Sequence, residues 1–316
     1  VTNAVAIEGT TAEVTAALVT AGTKVEVDDA TVSITNTPTI SELNAIAGET
    51  TGAVTATLAA DSLANLASLN TAGTDVITVT VNDANAAELT AANLSTLGGK
   101  TAGTVTVTNA VAISGTTAEV TAALVTAGTL VVVSDAAVTI TNTPTIAELN
   151  AIAAKTTGVV TATLAANSLA NLGALTTAGT DAITITVNDA DSTAITAANL
   201  SVLGGKTAGV VTVSNEVAIS GTTAEMIAAL VTAETKVTAS SSSLTISDTP
   251  TSAQLTALDN ATTGTISYVD NGQASFSING TAAVGNTLSI KEDSADPDGT
   301  GTLSYSWQTS SDNSSW

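Results

Sequence analysis

The stretch that decides the fold is VTNAVAISGTTAEVTAALVTAGT at residues 107–129. The same stretch opens the chain at residues 1–23 with one substitution, and it returns in altered form at 213–235. Each return comes 106 residues after the last, without an insertion or a deletion. A fixed period is typical of a stacked array of repeats. It also argues against a single catalytic centre, because near-identical repeats cannot each be a unique active site.

Each copy divides further into four smaller modules of one pattern. A module has a Val/Thr/Ile strand, a polar turn, a short Ala/Leu helix and a Thr-rich turn that contains glycine. In the first copy the turn glycines are Gly22, Gly52, Gly73 and Gly103. Their mean spacing of about 26 to 27 residues falls within the range of leucine-rich-repeat-like units.

Short helices are predicted behind four capping boxes, in which a threonine hydroxyl accepts from a free helix N–H and a glutamate reaches back. The boxes are Thr10–Glu13, Thr39–Glu42, Thr116–Glu119 and Thr145–Glu148. Behind the third box, Val120, Leu124 and Ala127 predict one apolar stripe. Gly128 and Gly158 are expected to end their helices. Helices of about ten residues are too short to be stable alone, so they need a sheet to pack on.

Two stretches, VITVTV at 76–81 and AITITV at 182–187, alternate β-branched apolar residues with threonine. This period of two predicts strands with apolar side chains inward and threonine outward. Strands that alternate with short helices pair in parallel through right-handed crossovers. The sequence therefore predicts an α/β repeat, a right-handed parallel β-solenoid with a short helix per module.

Asn or Asp closes many of the predicted strands. The positions are Asn3, Asn36, Asn82, Asn109, Asn142, Asn188, Asn215 and Asp248. One interpretation is that these residues form turns, since they tolerate left-handed backbone. The other is a stacked ladder whose side chains satisfy turn carbonyls from module to module. Both interpretations are structural.

The charge balance limits the expected partners. The chain has 316 residues, 28 acidic and 6 basic, for a net charge of −22, and all basic residues are lysines. Nucleic acid and anionic membranes attract cationic surfaces, so neither is an expected partner. The absence of Cys and His leaves oxygen ligands for any metal. Thr, Asn or Gly interrupts every apolar run before the ~18 residues of a membrane span.

Aromatic residues begin only at Tyr268. The residues before it must build a core from Val, Ile, Leu and Ala, which favours a thin, regular stack. The predicted organisation is copy 1 at 1–106, copy 2 at 107–212, a partial copy 3 at 213–267, a junction at 268–274 and a distinct segment at 275–316. Because the first residue falls inside a repeat, we interpret the chain as part of a longer protein.

Two segments carry a family resemblance, LNAIAGETTGAVTATLA from Leu43 and LTALDNATTGTISYV from Leu255. They resemble the Thr/Ala/Val-rich repeats of giant secreted bacterial cell-surface proteins of the marine cyanobacterial type. The resemblance covers residues 1 to 267 and rests on motifs of low complexity. It implies an extracellular, multi-domain protein.

The C-terminal segment has a different texture. FSINGTAAVGNTL at 276–288, DPDG at 296–299 and LSYSWQ at 303–308 resemble the bacterial immunoglobulin-like repeats of large adhesins. The resemblance implies a partial all-β segment in which Trp307 is the core tryptophan. The segment is shorter than the ~100 residues of such a domain. Either the domain is cut, or its missing strands come from elsewhere.

Six aspartates are candidate calcium ligands, because hard oxygen ligands cluster around them. They are Asp83, Asp189, Asp191, Asp293, Asp296 and Asp298. The last three fall in an acidic run whose carboxylates repel one another unless a cation or wide solvation intervenes. The alternative at each position is a solvated turn. No other cofactor is predicted.

No catalytic residue is predicted, and the chain is not expected to be an enzyme. LGGKT at 97–101 and 203–207 resembles the tail of a phosphate-binding loop. Leu94 and Leu200 stand where that loop needs glycine, so a glycine-rich helix exit is predicted instead. Glycosidases use paired carboxylates, but the repeats lack the aromatic and Arg groups that hold sugar.

These observations predict an extracellular structural or adhesive protein of a bacterial cell surface. Its repeats form a solenoid spacer or assembly element of an S-layer, sheath, filament or adhesin stalk. Expected partners are further copies, neighbouring domains of the same long chain, and surface polysaccharide. The alternative is a ligand-binding surface for calcium-dependent glycan, mineral or ice, built from outward Thr-x-Thr pairs such as Thr78/Thr80 and Thr184/Thr186.

Overall fold

The structure is a computed structural model that describes residues 5–129, 131–235, 237–269, 274–281, 283–295 and 304–306. Helices alternate with strands along the repeats, so the chain belongs to the mixed α/β class that the sequence predicts. Within the described ranges, every helix falls short of the length and hydrophobicity that a bilayer span requires.

The described elements follow the predicted strand–helix order. The strands are β1 (Ala6–Gly9), β2 (Thr31–Ile34), β3 (Val54–Thr57), β4 (Val76–Val81), β5 (Glu88–Thr90), β6 (Val105–Val107), β7 (Ala112–Gly115), β8 (Val131–Val132), β9 (Ala137–Ile140), β10 (Val160–Thr163), β11 (Ala182–Val187), β12 (Ala194–Thr196), β13 (Val211–Val213), β14 (Ala218–Gly221), β15 (Ser243–Ile246), β16 (Ile266–Ser267), β17 (Ser275–Asn279) and β18 (Ser289–Ser294). The helices are α1 (Thr11–Leu18), α2 (Ile40–Ala47), α3 (Leu63–Leu66), α4 (Ala91–Gly98), α5 (Thr117–Leu124), α6 (Ile146–Ala153), α7 (Leu169–Leu172), α8 (Ala197–Gly204), α9 (Thr223–Leu230) and α10 (Ser252–Asp259).

The chain divides into two compact units, one of Val1–Val187 with Leu203–Thr212 and one of Asn188–Val202 with Val213–Trp316. In the first unit, one sheet runs β1-β2-β3-β4-β6-β8, and a second carries β5, β7, β9, β10 and β11 in that order. The second unit holds the sheet β12-β14-β15-β16 and the two-stranded sheet β17-β18. The described pairs of the repeats are parallel, while β17 and β18 are antiparallel.

Strand pairing keeps the same register in successive copies. The facing pairs are Ala6 with Thr31, Val32 with Val54 and Thr55 with Val76 in the first copy, then Ala112 with Ala137, Val138 with Val160 and Thr161 with Ala182 in the second. The modules differ in length, yet each strand meets the next in parallel. Loops therefore absorb the difference in length, and the strand ladder fixes the register.

The long strand β4 joins a short module to the one that follows. Its first half pairs backward with β3, where Thr57 faces Thr78. Its second half pairs forward with β6, where Val79 faces Val105. One six-residue strand therefore belongs to two neighbouring ladders at once.

Inward strand residues and one helix stripe form the aliphatic core. Ile77, Val79 and Val81 of β4 are fully buried, which confirms the predicted alternation. Val120 of α5 is also fully buried. The predicted stripe was wrong at Ala127, which lies in an exposed 3₁₀ turn because α5 ends before it.

Glycine does not end these helices in the predicted way. α5 ends at Leu124 and α6 at Ala153, so Gly128 and Gly158 lie beyond them. The residue that caps α6 is Ala154, whose φ of −67° is right-handed. No left-handed glycine closes a described helix of the repeats. Gly158 instead lies in a turn beyond its helix, where a Cβ would overlap the backbone of Ala136.

Ser242 supplies a test of the core. It is fully buried, and its hydroxyl has no hydrogen-bond partner among the described residues. The equivalent positions in the first two copies are Ala30 and Ala136, both fully buried. A buried hydroxyl without a partner costs about 1 kcal/mol or more.

We therefore expect Ser242→Ala to raise the free energy of unfolding by about 1 kcal/mol, measured by urea denaturation. The matched reverse change, Ala136→Ser, should lower it by a similar amount. A loss of stability in Ser242→Ala would show that the hydroxyl has a partner after all.

Candidate functional site

The structure does not gather the candidate calcium ligands of the repeats into a metal site. The Asp83 carboxylate accepts from the N–H of Leu63 at 2.7 Å, at the start of α3. Asp191 accepts from the N–H of Glu216 at 3.1 Å, and the backbone carbonyl of Asp189 accepts from the Asn215 amide at 2.7 Å. The oxygens of these three aspartates therefore accept hydrogen bonds that connect one module to another.

In the C-terminal segment only one candidate is described. Asp293 lies on β18, where its Oδ1 is 2.9 Å from the Nζ of Lys291. A hydrogen bond from the Ser277 hydroxyl, and then the one from Lys291, lower the pKa of Asp293. Asp296 and Asp298 lie outside the described residues. No three carboxylates in the described part of the chain form a group that could hold a metal ion, and calcium binding stays a prediction.

The strand-end Asn and Asp residues instead cap helices of the preceding module. Asn142 Oδ1 accepts from the Thr117 N–H at 2.7 Å and from its hydroxyl at 2.8 Å, across 25 residues. Asn36 does the same for Thr11. In the third copy Asp248 caps Thr223, whose hydroxyl and N–H lower the pKa of Asp248. Each module thereby satisfies helix N–H groups that its neighbour leaves unpaired.

A second group of strand-end residues donates rather than accepts. The Asn109 amide donates to the carbonyls of Asn82 at 3.3 Å and Asp83 at 2.6 Å. Asn215 makes the equivalent bonds one copy later. The sequence left a turn and a ladder open as alternatives. The structure contains the ladder to turn carbonyls at these two positions, and helix caps at the others just described.

A Thr-x-Gly motif closes five modules. The Thr-x-Gly motifs that share one set of bonds are Thr50–Gly52, Thr101–Gly103, Thr156–Gly158, Thr207–Gly209 and Thr262–Gly264. The Thr-x-Gly stretch at 71–73 differs, because the Thr71 hydroxyl donates to the Lys100 carbonyl of the next module. In each of the five motifs the glycine N–H donates to the threonine hydroxyl, which donates to a carbonyl 20 to 26 residues earlier. Thr101 and Thr207 also accept from the N–H groups of Ile77 and Ile183. One buried hydroxyl therefore joins two modules and one turn.

This motif requires glycine because the backbone of the preceding module lies too close for a Cβ atom. A Cβ at Gly103 would overlap the backbone of Ile77, and one at Gly52 would overlap the backbone of Ala30. At these two glycines the turn lies directly against the backbone of the module before it. A larger residue would push the strands apart and break the bonds of the threonine.

Two buried aspartates form further hydrogen bonds between modules, which the sequence analysis did not predict. Asp75 is 4 % exposed and accepts from Val54 N–H and Ala72 N–H, both at 2.8 Å. Asp181 repeats this arrangement with Val160 and Ala178. A Gly-Thr-Asp sequence recurs at 73–75 and 179–181, and this recurrence was the available signal.

An asparagine inside a helix is the other missed contact. Asn44 of α2 donates to the Ser68 carbonyl at 2.9 Å and accepts from the Asn70 N–H at 2.7 Å. Asn150 of α6 repeats both bonds one copy later. Asn is unfavourable within a helix, so its recurrence there indicated a partner outside the helix.

The LGGKT segments exit their helices, as predicted. Gly98 ends α4, and Gly99 follows with a right-handed φ of −69°. Lys100 then donates to the Leu69 carbonyl, and Lys206 donates to Gly173 at 2.8 Å. A lysine at the C-terminal side of a short helix is stabilised by the helix dipole, and no phosphate is needed to explain it.

The outward threonines form aligned pairs. Thr57 faces Thr78, Thr80 faces Thr106, and Thr163 faces Thr184. Thr55, however, faces Val76, so successive Thr-x-Thr pairs are offset by two residues.

No protein-family model, curated protein or solved structure matches this chain. The function is therefore argued from the contacts alone. We use the term seam for the bonds that the capping Asn and Asp residues, the Thr-x-Gly motifs, the buried aspartates and the helix asparagines make between successive modules.

Thr101 is the sharpest test of the seam. Thr101→Val preserves the shape but leaves the N–H groups of Ile77 and Gly103 without their acceptor in a buried place. We expect a loss of about 2 to 4 kcal/mol in the free energy of unfolding, measured by urea denaturation. Thr101→Ser keeps the hydroxyl and should lose less than about 1 kcal/mol. Equal losses in both variants would contradict the hydrogen-bond assignment.

Acid should weaken the helix caps. The Thr10, Thr39 and Thr116 N–H groups, followed by their hydroxyls, lower the pKa of Glu13, Glu42 and Glu119 from the ordinary glutamate value. For Glu148 the Thr145 hydroxyl is the larger cause of the lowered pKa. Groups whose pKa is lower in the folded state stabilise the fold above their unfolded pKa. That stability is lost as the pH falls through the folded pKa.

We therefore expect the melting temperature to fall as the pH is lowered from 5.5 toward 3, a range around the ordinary glutamate pKa of about 4.3. The double variant Glu119→Gln/Glu148→Gln, followed by circular dichroism, should show a shallower dependence. Gln254 already fills the same place in the capping box of α10, so glutamine fits there. An unchanged slope in the double variant would contradict this origin of the acid sensitivity.

Proposed function

We propose that this chain is an extracellular structural spacer of a bacterial cell surface. Its repeats form a right-handed, leucine-rich-repeat-like solenoid that serves in an S-layer, sheath, filament or adhesin stalk. The observation that carries the proposal is the seam, whose bonds recur between successive modules at separations of 20 to 26 residues.

The seam supports a mechanical role. Parallel strand bonds and side-chain bonds connect the same neighbours, so a pull on one module is carried by the next. The stability of a stacked repeat grows with its number of interfaces. A spacer is lengthened by adding modules, so it needs a fold whose stability does not fall as modules are added.

The use of the polar side chains supports a non-enzymatic role. Residues that often carry chemistry, such as Asp75, Asp83, Lys100 and Thr101, are bonded to backbone groups. The buried ones are enclosed between modules, where a substrate would have to displace strand contacts. We infer that the repeats act through shape and rigidity.

The hairpin of β17 and β18 supports a second, all-β module of the immunoglobulin-like kind. Phe276, Ile278 and Ile290 lie on one of its faces and are all exposed, while Ser277 and Lys291 lie on the other. Glu292 faces Phe276 on the same side, and the Tyr305 ring packs edge-on against Phe276 with centroids 6.3 Å apart. A two-stranded sheet with a largely exposed apolar face is marginally stable, so this face fits against further strands. The core position proposed for Trp307 lies outside the described residues.

The spacer proposal is tested by adding one repeat. A chain with a second copy of residues 107–212 inserted after position 212 gains four strand-to-strand steps of about 4.8 Å. We expect its longest dimension to increase by about 19 Å, measured by small-angle scattering and electron microscopy. The parent chain is the matched control. An increase in thickness without this gain in length would contradict the solenoid.

The proposed location at the cell surface is tested separately, by antibody labelling of intact cells. Antibodies against residues 107–212 should label intact cells of the source bacterium as strongly as permeabilised ones. Labelling that appears only after permeabilisation would contradict an extracellular location and leave the spacer geometry unaffected.

A further inference from the structure

One edge of the first compact unit exposes apolar side chains that are buried in the other two copies. β1 is the outermost strand of its sheet, so among the described residues one of its edges has no partner strand. Val5 and Ile7 at this strand and Ala17 of α1 are partly exposed. We call these three residues, together with Gly9, the β1 edge. The equivalents of the three in the second and third copies are at most 1 % exposed, and they are Val111, Ile113, Ala123, Val217, Ile219 and Ala229.

In the second copy a strand–helix module covers the equivalent edge. β5 pairs in parallel with β7, where Leu89 faces Ile113. The Ala112 N–H donates to the Ala87 carbonyl at 2.9 Å, and α4, which follows β5, packs on α5. In the third copy β12 pairs with β14 in the same register. The chain therefore shows twice what fits against an edge of this kind.

Gly9 indicates the same cover independently of burial. A Cβ at Gly115 would lie 2.9 Å from the Cβ of Ala91 in the covering helix, and one at Gly221 would lie 3.2 Å from that of Ala197. At Gly9 the three atoms nearest to such a Cβ all belong to its own module. Glycine within a strand often marks the close approach of another segment. Gly9 thus leaves room for a helix alanine that the described residues do not supply.

The one substitution between residues 1–23 and 107–129 lies on this edge strand, where Glu8 replaces Ser114. A charge on an edge strand can oppose pairing with another strand. Ser114, however, stays exposed although β5 lies beside it. A side chain at this position faces solvent and not the covering strand, so Glu8 is compatible with a cover.

We propose that the β1 edge is a docking surface for a further strand–helix module of the Glu88–Gly98 type, supplied by another copy of the repeat in the same polypeptide. The proposal rests on the spacer function and names the partner that continues the stack. In both covered copies the covering strand lies upstream in the same chain. A second copy of this chain offers no free module of this type, because β5 and β12 already cover β7 and β14.

The chemistry of such a module suits the β1 edge. Leu89 and Leu94 are its buried apolar side chains, and Glu88, which is exposed, is its one charged residue. Docking therefore buries hydrocarbon against Val5 and Ile7 and brings a single carboxylate near an acidic chain. The Ala6 N–H would gain the acceptor that the second copy provides for its equivalent.

The test adds the missing module to the full chain. Residues 83–106 are placed directly before Val1, which recreates the junction between residues 106 and 107 because both copies begin with VTN. We expect amide hydrogen exchange at Ala6 to slow about tenfold or more, since one hydrogen bond and its buried neighbours form there. The melting temperature should rise by a few degrees. The control is the same extension carrying Leu94→Ser and Leu97→Ser, which cannot pack and should leave Ala6 unprotected.

A matched pair of glycine variants tests the contact itself. A Cβ at Gly9 and one at Gly115 both meet a glutamate of their own module at 3.2 Å, but only Gly115 meets Ala91. In the parent chain Gly115→Ala should therefore lower the melting temperature by several degrees more than Gly9→Ala. In the extended chain the two losses should become equal, because Gly9 then has an alanine beside it.

Three results would overturn the inference. One is unchanged exchange at Ala6 in the extended chain, and another is a Gly9→Ala loss in the parent chain as large as that of Gly115→Ala. The third is a parent chain that already protects Ala6 as a dimer which Ile7→Asp dissociates, since a second copy would then be the occupant. A chain that still lengthens by about 19 Å per inserted repeat would leave the spacer function standing in each case.

Discussion

Backbone groups that one module leaves unpaired and the next module satisfies are the constraint on which this fold depends. The first N–H groups of a helix have no partner within the helix. Here the N–H of Thr117 finds its acceptor in Asn142, one module further along the chain. The turn at Thr101 likewise bonds to the carbonyls of Asp75 and Ile77 in the module before. A single module is therefore incomplete, and stacking completes it.

The same constraint explains the tight register of the repeats. A hydroxyl or amide reaches its partner only within about 3 Å, so every module must sit at one height above its neighbour. Gly103 allows this approach because it has no Cβ to overlap Ile77. An insertion in a loop would be absorbed, but an insertion between a strand and its closing turn would move several partners at once. This asymmetry gives a physical reason for a constant distance between each strand and its closing turn.

Local patterns predicted the local parts of the structure. The capping boxes of α1, α2, α5 and α6 and the strands at 76–81 and 182–187 follow from nearby residues, and all are confirmed. The partners of Asn142 and Asp75 are 20 or more residues away, where neither period nor propensity specifies a contact. The predicted role of Gly158 was wrong for the same reason, since this glycine lies against the backbone of Ala136 in the module before and not at the end of its own helix. A polar residue that recurs every 106 residues among apolar neighbours is the sequence feature that indicates such contacts between modules.

The acidic composition follows from the same seam. Carboxylates accept hydrogen bonds from backbone N–H groups, and a helix start favours negative charge. Asp248 takes such a place between modules, Glu119 takes one within its own module, and Asp75 and Asp181 are buried against amides. Lysine cannot accept a hydrogen bond, so the seam selects acids and amides and leaves few places for bases. Within the sheets the strand ladders pair most of the backbone, and Val54, Ile77 and Val160 add N–H bonds to Asp75, Thr101 and Asp181. Among the described strands of the parallel sheets, only β1 and β5 carry a charged residue, Glu8 and Glu88, and the other described charges of the repeats lie in turns, loops and helices.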